Sequence, residues 1–97
     1  MTRFKELDPI LHSQLRLAVV SLLIGIEMAE FTYIREQTGA TAGNLSIQIT
    51  RLKEAGYIEV IKKFRNNYPQ TLCSITELGR QKFAEYVNDL KDHEETR

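Results

Sequence analysis

The sequence predicts an α+β fold that is mainly helical and contains one small β-hairpin. Apolar residues recur at three- and four-residue spacing over most of the chain, as in amphipathic helices. After Gly56 the spacing changes to two, which indicates strands. Glycines and prolines separate these segments, and 97 residues suffice for one small core, so we expect a single domain over residues 1–97.

The first predicted helix starts at Pro9 and ends at Ile26. Proline is favoured at the first helical position because it lacks an N–H group that the start of a helix would leave unpaired. Asp8 stands directly before it and can cap the N–H groups that follow. Residues 28–30 are expected to form a connector or a very short strand.

Two further helices are predicted close together. Residues 31–38 form a short helix that ends at Gly39, because glycine accepts the left-handed conformation of a helix end. Thr41 caps the next helix, and Gly56 terminates it. Only residues 39–41 separate the two helices, so we interpret 31–55 as a helix-turn-helix. The apolar stripe of the second of these helices contains Leu45, Ile49 and Leu52.

A hairpin and a last helix follow. Residues 57–64 are rich in β-branched and aromatic side chains and are predicted to be a strand; 65–70 are a turn and 71–75 the second strand. Thr76 can cap a final helix over about 77–92. Helix, short helix, helix, hairpin, helix is the element order of a winged helix-turn-helix, in which the hairpin, about 57–75, is the wing.

The charge of the chain is balanced overall but uneven locally. Thirteen basic and thirteen acidic side chains cancel, which excludes the uniformly basic type of nucleic-acid binder. Residues 41–80, however, contain six basic and three acidic residues. From residue 81 onward there are three basic and five acidic residues. The predicted helix-turn-helix and wing are therefore basic, and the end of the chain is acidic.

Composition favours neither an enzyme nor a membrane protein. There is no phosphate loop, no nucleophile beside a base and no ligand cluster, so we expect no enzymatic activity, no metal and no cofactor. Cys73 is the only cysteine, which suits a reducing cytosol. The first residues lack the apolar core of a signal peptide, and the apolar stretch 17–26 is too short to span a bilayer. We therefore expect a cytoplasmic protein without a membrane partner.

The exposed side of the third helix and the wing provide candidate contacts to double-stranded DNA. The front of this helix has small and hydrogen-bonding residues and no acidic one, and such a surface suits a major groove about 12 Å wide. Basic residues of the wing can contact phosphates. The candidate DNA-binding residues are Thr41, Gly43, Asn44, Ser46, Gln48, Arg51 and Lys53 on the helix and Lys62, Lys63, Arg65, Asn66 and Asn67 on the wing.

The two ends of the chain contain more apolar residues than one small domain can cover. We infer that the N-terminal segment and the last helix form the two-fold interface of a homodimer. Recognition helices about 34 Å apart would then meet successive major grooves. The candidate interface residues are Phe4, Leu7, Ile10, Leu11, Phe83, Tyr86, Val87 and Leu90.

Residues 7–90 resemble the small single-domain winged-helix transcriptional regulators related to the MarR and ArsR types. The resemblance is carried by the runs LDPILHSQLRLAVVSLL, FTYIREQTGATAGNLSIQITRLKEAGYIEV and TLCSITELGR. It implies a homodimeric, sequence-specific DNA-binding regulator with its recognition helix at 41–55 and its wing at 62–70, on the backbone or in the minor groove. Two positions depart from the pattern: Ile47 replaces a basic or polar residue, and Gln48 replaces a common histidine.

Several alternatives remain beside this hypothesis. Exposed Ile47 favours a winged-helix module that binds a protein partner without binding DNA. Arg16 can pair with an acidic residue or contact the DNA backbone. Cys73 can fill space in a strand or act as a redox switch, and His12 is expected at the surface or the dimer interface. Any effector ligand is expected to act at the dimer interface or on the wing.

Overall fold

Four helices and a three-stranded sheet make up the described part of the chain. The computed structural model describes residues 6–95, with side chains described up to residue 92. The α+β prediction, the helix-turn-helix and the hairpin are confirmed. The elements are α1 (Gln14–Ile26), β1 (Met28–Glu30), α2 (Phe31–Thr38), α3 (Ala42–Glu54), β2 (Ile58–Arg65), β3 (Tyr68–Ile75) and α4 (Glu77–Glu95).

The first helix starts later than the sequence predicts. The Asp8 side chain accepts the N–H of Ile10 at 2.8 Å, and the Asp8 carbonyl accepts the N–H of His12 at 2.8 Å. These bonds close a separate turn, after which extended Ser13 (φ −148°, ψ 127°) breaks the chain direction. Asp8 therefore caps a turn over residues 8–12, and α1 begins at Gln14.

The sheet is antiparallel with strand order β1-β3-β2. The segment 28–30 is a strand that pairs with the end of β3, Ala29 opposite Cys73. β2 and β3 pair over their whole length, from Ile58 opposite Ile75 to Arg65 opposite Tyr68. β1 thus pairs with the end of β3 that lies near the core, and the tip of the wing consists of β2 and β3 alone.

The wing turn is shorter than predicted. The sequence predicts a loop over 65–70, whereas the structure has a two-residue turn in which Asn66 and Asn67 have φ of 50° and 66°. Two-residue hairpins favour such left-handed conformations because they match the twist of the strands, and asparagine tolerates them. Pro69 lies inside β3, opposite Phe64, where the alternation of an antiparallel ladder requires no N–H donor.

The core lies between α1, the helix-turn-helix and the inner face of the sheet. The predicted stripe of α3 is buried as expected, and so is Cys73 in the middle of the sheet. The buried residues are Leu11, Val19, Val20, Leu23, Ala29, Ile34, Leu45, Ile49, Leu52, Tyr57, Ile58, Cys73 and Tyr86.

The start of α4 is attached to the end of α3. The Thr76 hydroxyl donates to the Gly56 carbonyl at 2.7 Å and accepts the N–H of Gly79 at 2.9 Å. The predicted cap at Thr76 is confirmed, and it also joins two elements. Within residues 6–95, no helix has both the length and the apolar character that a membrane crossing requires.

Candidate nucleic-acid interface

The turn between α2 and α3 fixes the direction of α3. Gly39 ends α2 in the left-handed conformation (φ 71°), as predicted, and Thr41 is extended. The Thr41 hydroxyl accepts the N–H of Asn44 at 3.2 Å, so the predicted cap is confirmed. Because one side of α3 is buried, its opposite side faces solvent along the length of the helix.

Three residues form a row along the solvent side of α3. Gly43, Ile47 and Arg51 are four residues apart, so they lie one above the other on the helix surface. All three are exposed, and Ile47 has 59% of its surface accessible. A Cβ atom added at Gly43 would have no atom within 4 Å, so the helix start has free space in front of it.

Gln48 lies beside this row and is held by other side chains. Its Oε1 accepts a hydrogen bond from Arg16 Nη1 at 2.5 Å, and its Nε2 donates to Asn44 Oδ1 at 3.1 Å. Both ends of the predicted base-contacting amide are therefore engaged within the protein. Thr50 is similarly occupied, since its hydroxyl donates to the Ser46 carbonyl at 3.0 Å.

The guanidinium of Arg16 is engaged within the protein by carbonyl and amide oxygens. Its Nε donates to the Ile10 carbonyl at 2.7 Å and its Nη2 to the Pro9 carbonyl at 3.4 Å, while Nη1 bonds Gln48. The guanidinium thus joins the turn before α1 to α3. Sequence reasoning missed this role, although one signal exists: Arg16 has no acidic residue three or four positions away to pair with.

Basic residues lie on both faces of the wing. Lys62 is on the face that carries Val60 and faces α3, whereas Lys63 and Arg65 are on the other face. Lys62 and Lys53 of α3 line the same cavity of about 310 Å³, together with Ser46 and Thr50. Helix and wing therefore form one continuous surface.

The remaining candidate DNA contacts are exposed. Within the described part of the chain, no hydrogen bond or ion pair holds the side chains of Arg51, Lys53, Lys62, Lys63 or Arg65. Two aromatic residues near the tip of the wing, Phe64 and Tyr68, are 77% and 75% exposed. Arg80, by contrast, forms an ion pair with Glu27 at 3.5 Å and so does not join this surface. The exposed candidates are Thr41, Gly43, Asn44, Ser46, Arg51, Lys53, Lys62, Lys63, Arg65, Asn66 and Asn67.

The candidate dimer interface is smaller than the sequence indicates. Leu11 is fully buried and Tyr86 is 4% exposed inside the protomer, because the 8–12 turn packs on α4. These two are core residues and present almost no surface to a partner. Leu7, Ile10 and Phe83 are half-buried, Val87 and Leu90 are exposed on α4, and Phe4 lies outside the described residues.

Two buried titratable groups have structural roles. Burial raises the pKa of the Cys73 thiol to about 11, so the thiol stays protonated and fills space in the sheet. Burial, and then its hydrogen bond to Asp8 at 2.6 Å, raises the pKa of the Tyr57 hydroxyl. His12 Nδ1 lies 3.0 Å from the Tyr86 hydroxyl. Among the described residues, no group of His, Cys, Asp or Glu could hold a metal ion.

A helix-turn-helix followed by a two-stranded wing defines the winged-helix class of DNA-binding domains. The chain belongs to the winged helix DNA-binding domain family, whose model matches residues 15–93. Its fold is MarR-like, as the solved structures of transcriptional regulators below show.

Three relatives illustrate this placement. An uncharacterised protein of Methanocaldococcus jannaschii is 33% identical over 81 residues, which cover 84% of this chain and 88% of that protein. The structure of a transcriptional regulator homologue from Pyrococcus horikoshii OT3 has a TM-score of 0.83 at 26% identity and covers 90% of this chain and 86% of that one. A MarR-family regulator from Rhodococcus sp. RHA1 shares the fold, with a TM-score of 0.72 at 17% identity over 88% of this chain and 60% of that one.

Proposed function

We propose that this protein is a sequence-specific transcriptional regulator that binds double-stranded DNA as a homodimer. The observation that carries the proposal is the continuous surface of α3 and the wing, on which Lys53 and Lys62 line one cavity. Its basic side chains are exposed and available to phosphates.

The dimensions of α3 suit the major groove. Its 13 residues are about 20 Å long, and a groove about 12 Å wide accepts one helix. Gly43, Asn44 and Ser46 at its front are small or polar, and they permit close approach to the base edges. Arg51, about two turns beyond Gly43, can bond guanine or a phosphate.

The wing supports the protein on the DNA backbone or in the minor groove. Residues 61–69 are all exposed, so this part of the hairpin stands free of the core. Lys62, Lys63 and Arg65 provide charge on both faces. Asn66 and Asn67 at the tip are within the proposed contact surface, but their first role is the turn. Contacts of this kind position a protein without reading sequence.

The homodimer is supported by an apolar stripe on α4. Phe83, Val87 and Leu90 are spaced at i, i+4 and i+7, and the last two are exposed in the protomer. A second copy covers this stripe with its own α4, assisted by Leu7 and Ile10 of the N-terminal segment. The dimer places two recognition helices about 34 Å apart and doubles the number of phosphate contacts.

DNA binding is tested by fluorescence anisotropy with duplexes that the protein selects from a random library. If about six phosphates are contacted, the logarithm of the binding constant should fall with the logarithm of salt at a slope near −5. Lys63→Ala should weaken binding to all duplexes alike and make the slope less negative by about 0.9. Arg80→Ala removes a basic residue that pairs with Glu27 and does not join the contact surface, so it is the control and should change neither. Absence of binding at low salt would refute the proposal.

The dimer is tested by light scattering of Val87→Asp. Because Val87 is exposed in the protomer, the variant should fold normally, as circular dichroism will show, yet elute as a monomer and bind DNA more weakly. A wild-type protein that is monomeric at micromolar concentration would contradict the homodimer.

The second candidate function is a protein-binding winged helix, favoured by the exposure of Ile47. Retention on heparin at low salt separates the two functions, because a module that has lost DNA binding need not be retained. Exposed Arg51, one turn from Ile47 on the same side of α3, favours the DNA-binding function.

A further inference from the structure

The most exposed apolar side chain of α3 stands where a groove-binding helix meets base edges. Ile47 is 59% exposed and lies on the side opposite the buried stripe of Leu45, Ile49 and Leu52. Gly43 precedes it by one turn and Arg51 follows it by one turn. In the proposed binding mode this row faces the floor of the major groove, with Ile47 at its centre.

Two polar neighbours of Ile47 are already engaged within the protein. Gln48 bonds Arg16 and Asn44 through both ends of its amide, and the Thr50 hydroxyl donates to the Ser46 carbonyl. The middle of the reading surface therefore offers fewer free hydrogen-bonding groups than the sequence suggests. Its central contact is apolar.

The major groove has one apolar group for such a side chain, the 5-methyl group of thymine. Packing Ile47 against a purine edge or a cytosine amino group would remove polar atoms from water without replacing their hydrogen bonds, which costs free energy. A thymine at this position instead lets two apolar groups exclude water together.

We propose that Ile47 is a specificity-determining residue that contacts the 5-methyl group of a thymine in each half-site. The inference rests on the proposed DNA-binding function and deepens it by naming the chemical group that the recognition helix reads. Gly43 permits the close approach of α3 to the bases, because glycine has no Cβ atom and the space in front of it is open. Arg51 secures the helix one turn along, at a guanine or a phosphate.

The test uses the full chain and a duplex that the wild-type protein has selected from a random library. Each thymine of one half-site is replaced in turn by deoxyuridine, which removes the 5-methyl group and retains every hydrogen-bonding group. At one thymine the affinity should fall about fourfold, the effect of burying one methyl group. For Ile47→Ala the same replacement should have no effect, because the apolar partner is gone.

Two controls keep the result specific. Ile26→Ala removes another exposed isoleucine, on α1, and should retain the wild-type affinity and the full response to deoxyuridine. Ile47→Val should retain part of the response. Circular dichroism should show that Ile47→Ala is folded, since the side chain is exposed and alanine favours helix.

The outcomes separate the inference from the function it rests on. Binding that no deoxyuridine weakens, or a response that persists unchanged in Ile47→Ala, overturns the inference and leaves the DNA-binding function standing. Failure of the wild-type protein to bind any duplex overturns both.

Discussion

The backbone of Gly79 packs directly against the carbonyl group of Tyr57. A Cβ atom at position 79 would lie 2.2 Å from the Tyr57 oxygen and 2.8 Å from Cδ1 of Ile75. The same Tyr57 oxygen accepts the N–H of Thr76 at 3.1 Å. The first turn of α4 therefore packs against Tyr57, in the segment that follows α3. This contact accounts for the glycine in the Thr-Glu-Leu-Gly-Arg run at residues 76–80, because a Cβ atom at position 79 would clash with backbone.

Gly79→Ala should destabilise the protein by about 2–4 kcal/mol, because a backbone atom rather than a flexible side chain must move. Urea unfolding followed by circular dichroism measures the change. Gly25→Ala is the matched control: it lies in α1 with no atom within 4 Å of the added Cβ, and it should stabilise the protein by about 0.5–1 kcal/mol. Equal unfolding midpoints for the two variants would contradict the close approach.

Arg16→Ala should mainly lower the stability of the fold, whereas Arg51→Ala should mainly weaken DNA binding. Arg16 donates to two carbonyls and to Gln48, so its loss should lower the free energy of unfolding by about 1–3 kcal/mol. Arg51 is exposed and unpaired within the described residues, so Arg51→Ala should change stability by less than about 0.5 kcal/mol. Arg51→Ala should instead weaken DNA binding by about 1–3 kcal/mol where Arg51 reaches a base. Urea unfolding measures the stability of both variants, and fluorescence anisotropy on the same samples measures their DNA affinity. A normal affinity for Arg51→Ala would show that Arg51 does not belong to the contact surface.

Asn67 should tolerate glycine and reject valine. Its φ of 66° is left-handed, which glycine adopts freely and a β-branched residue does not. Asn67→Gly should keep or raise the thermal midpoint, and Asn67→Val should lower it. DNA affinity of Asn67→Gly distinguishes the two roles of this residue: an unchanged affinity assigns it to the turn alone, and a loss shows that its amide contacts DNA.

Cys73 should be inert in the folded protein. Because burial raises its pKa to about 11, the neutral thiol is favoured by folding, and the stability from this effect is present below about pH 9 and lost as the pH rises towards 11. A thiol reagent at pH 8 should label the native protein only as fast as it unfolds, and label it at once in urea. Cys73→Ala should show a smaller loss of stability between pH 9 and 11; part of the loss should remain, because the pKa of Tyr57 is also raised. Rapid labelling of the native protein would contradict this burial.

The sequence by itself determined the elements whose causes are local. The bounds of α2, the left-handed Gly39, the Thr41 cap and the buried stripe of α3 all follow from residues within a few positions of one another. Helix periodicity, caps and glycine conformations act over one or two turns, so the helix-turn-helix could be predicted without a structure.

Only the tertiary structure decided which side chains remain free for a partner. Arg16 and Gln48 form a hydrogen bond although they are 32 positions apart in the sequence. Tyr86 and His12 are in contact although they are 74 positions apart. Neither contact has a signal in the local sequence pattern. The contact with Arg16 engages Gln48, which the sequence predicts to contact DNA. The contact with His12 accompanies the burial of Tyr86, which the sequence predicts at the dimer interface. A side chain's availability depends on what the fold brings next to it, whereas its helical or extended backbone depends mainly on its neighbours in the chain.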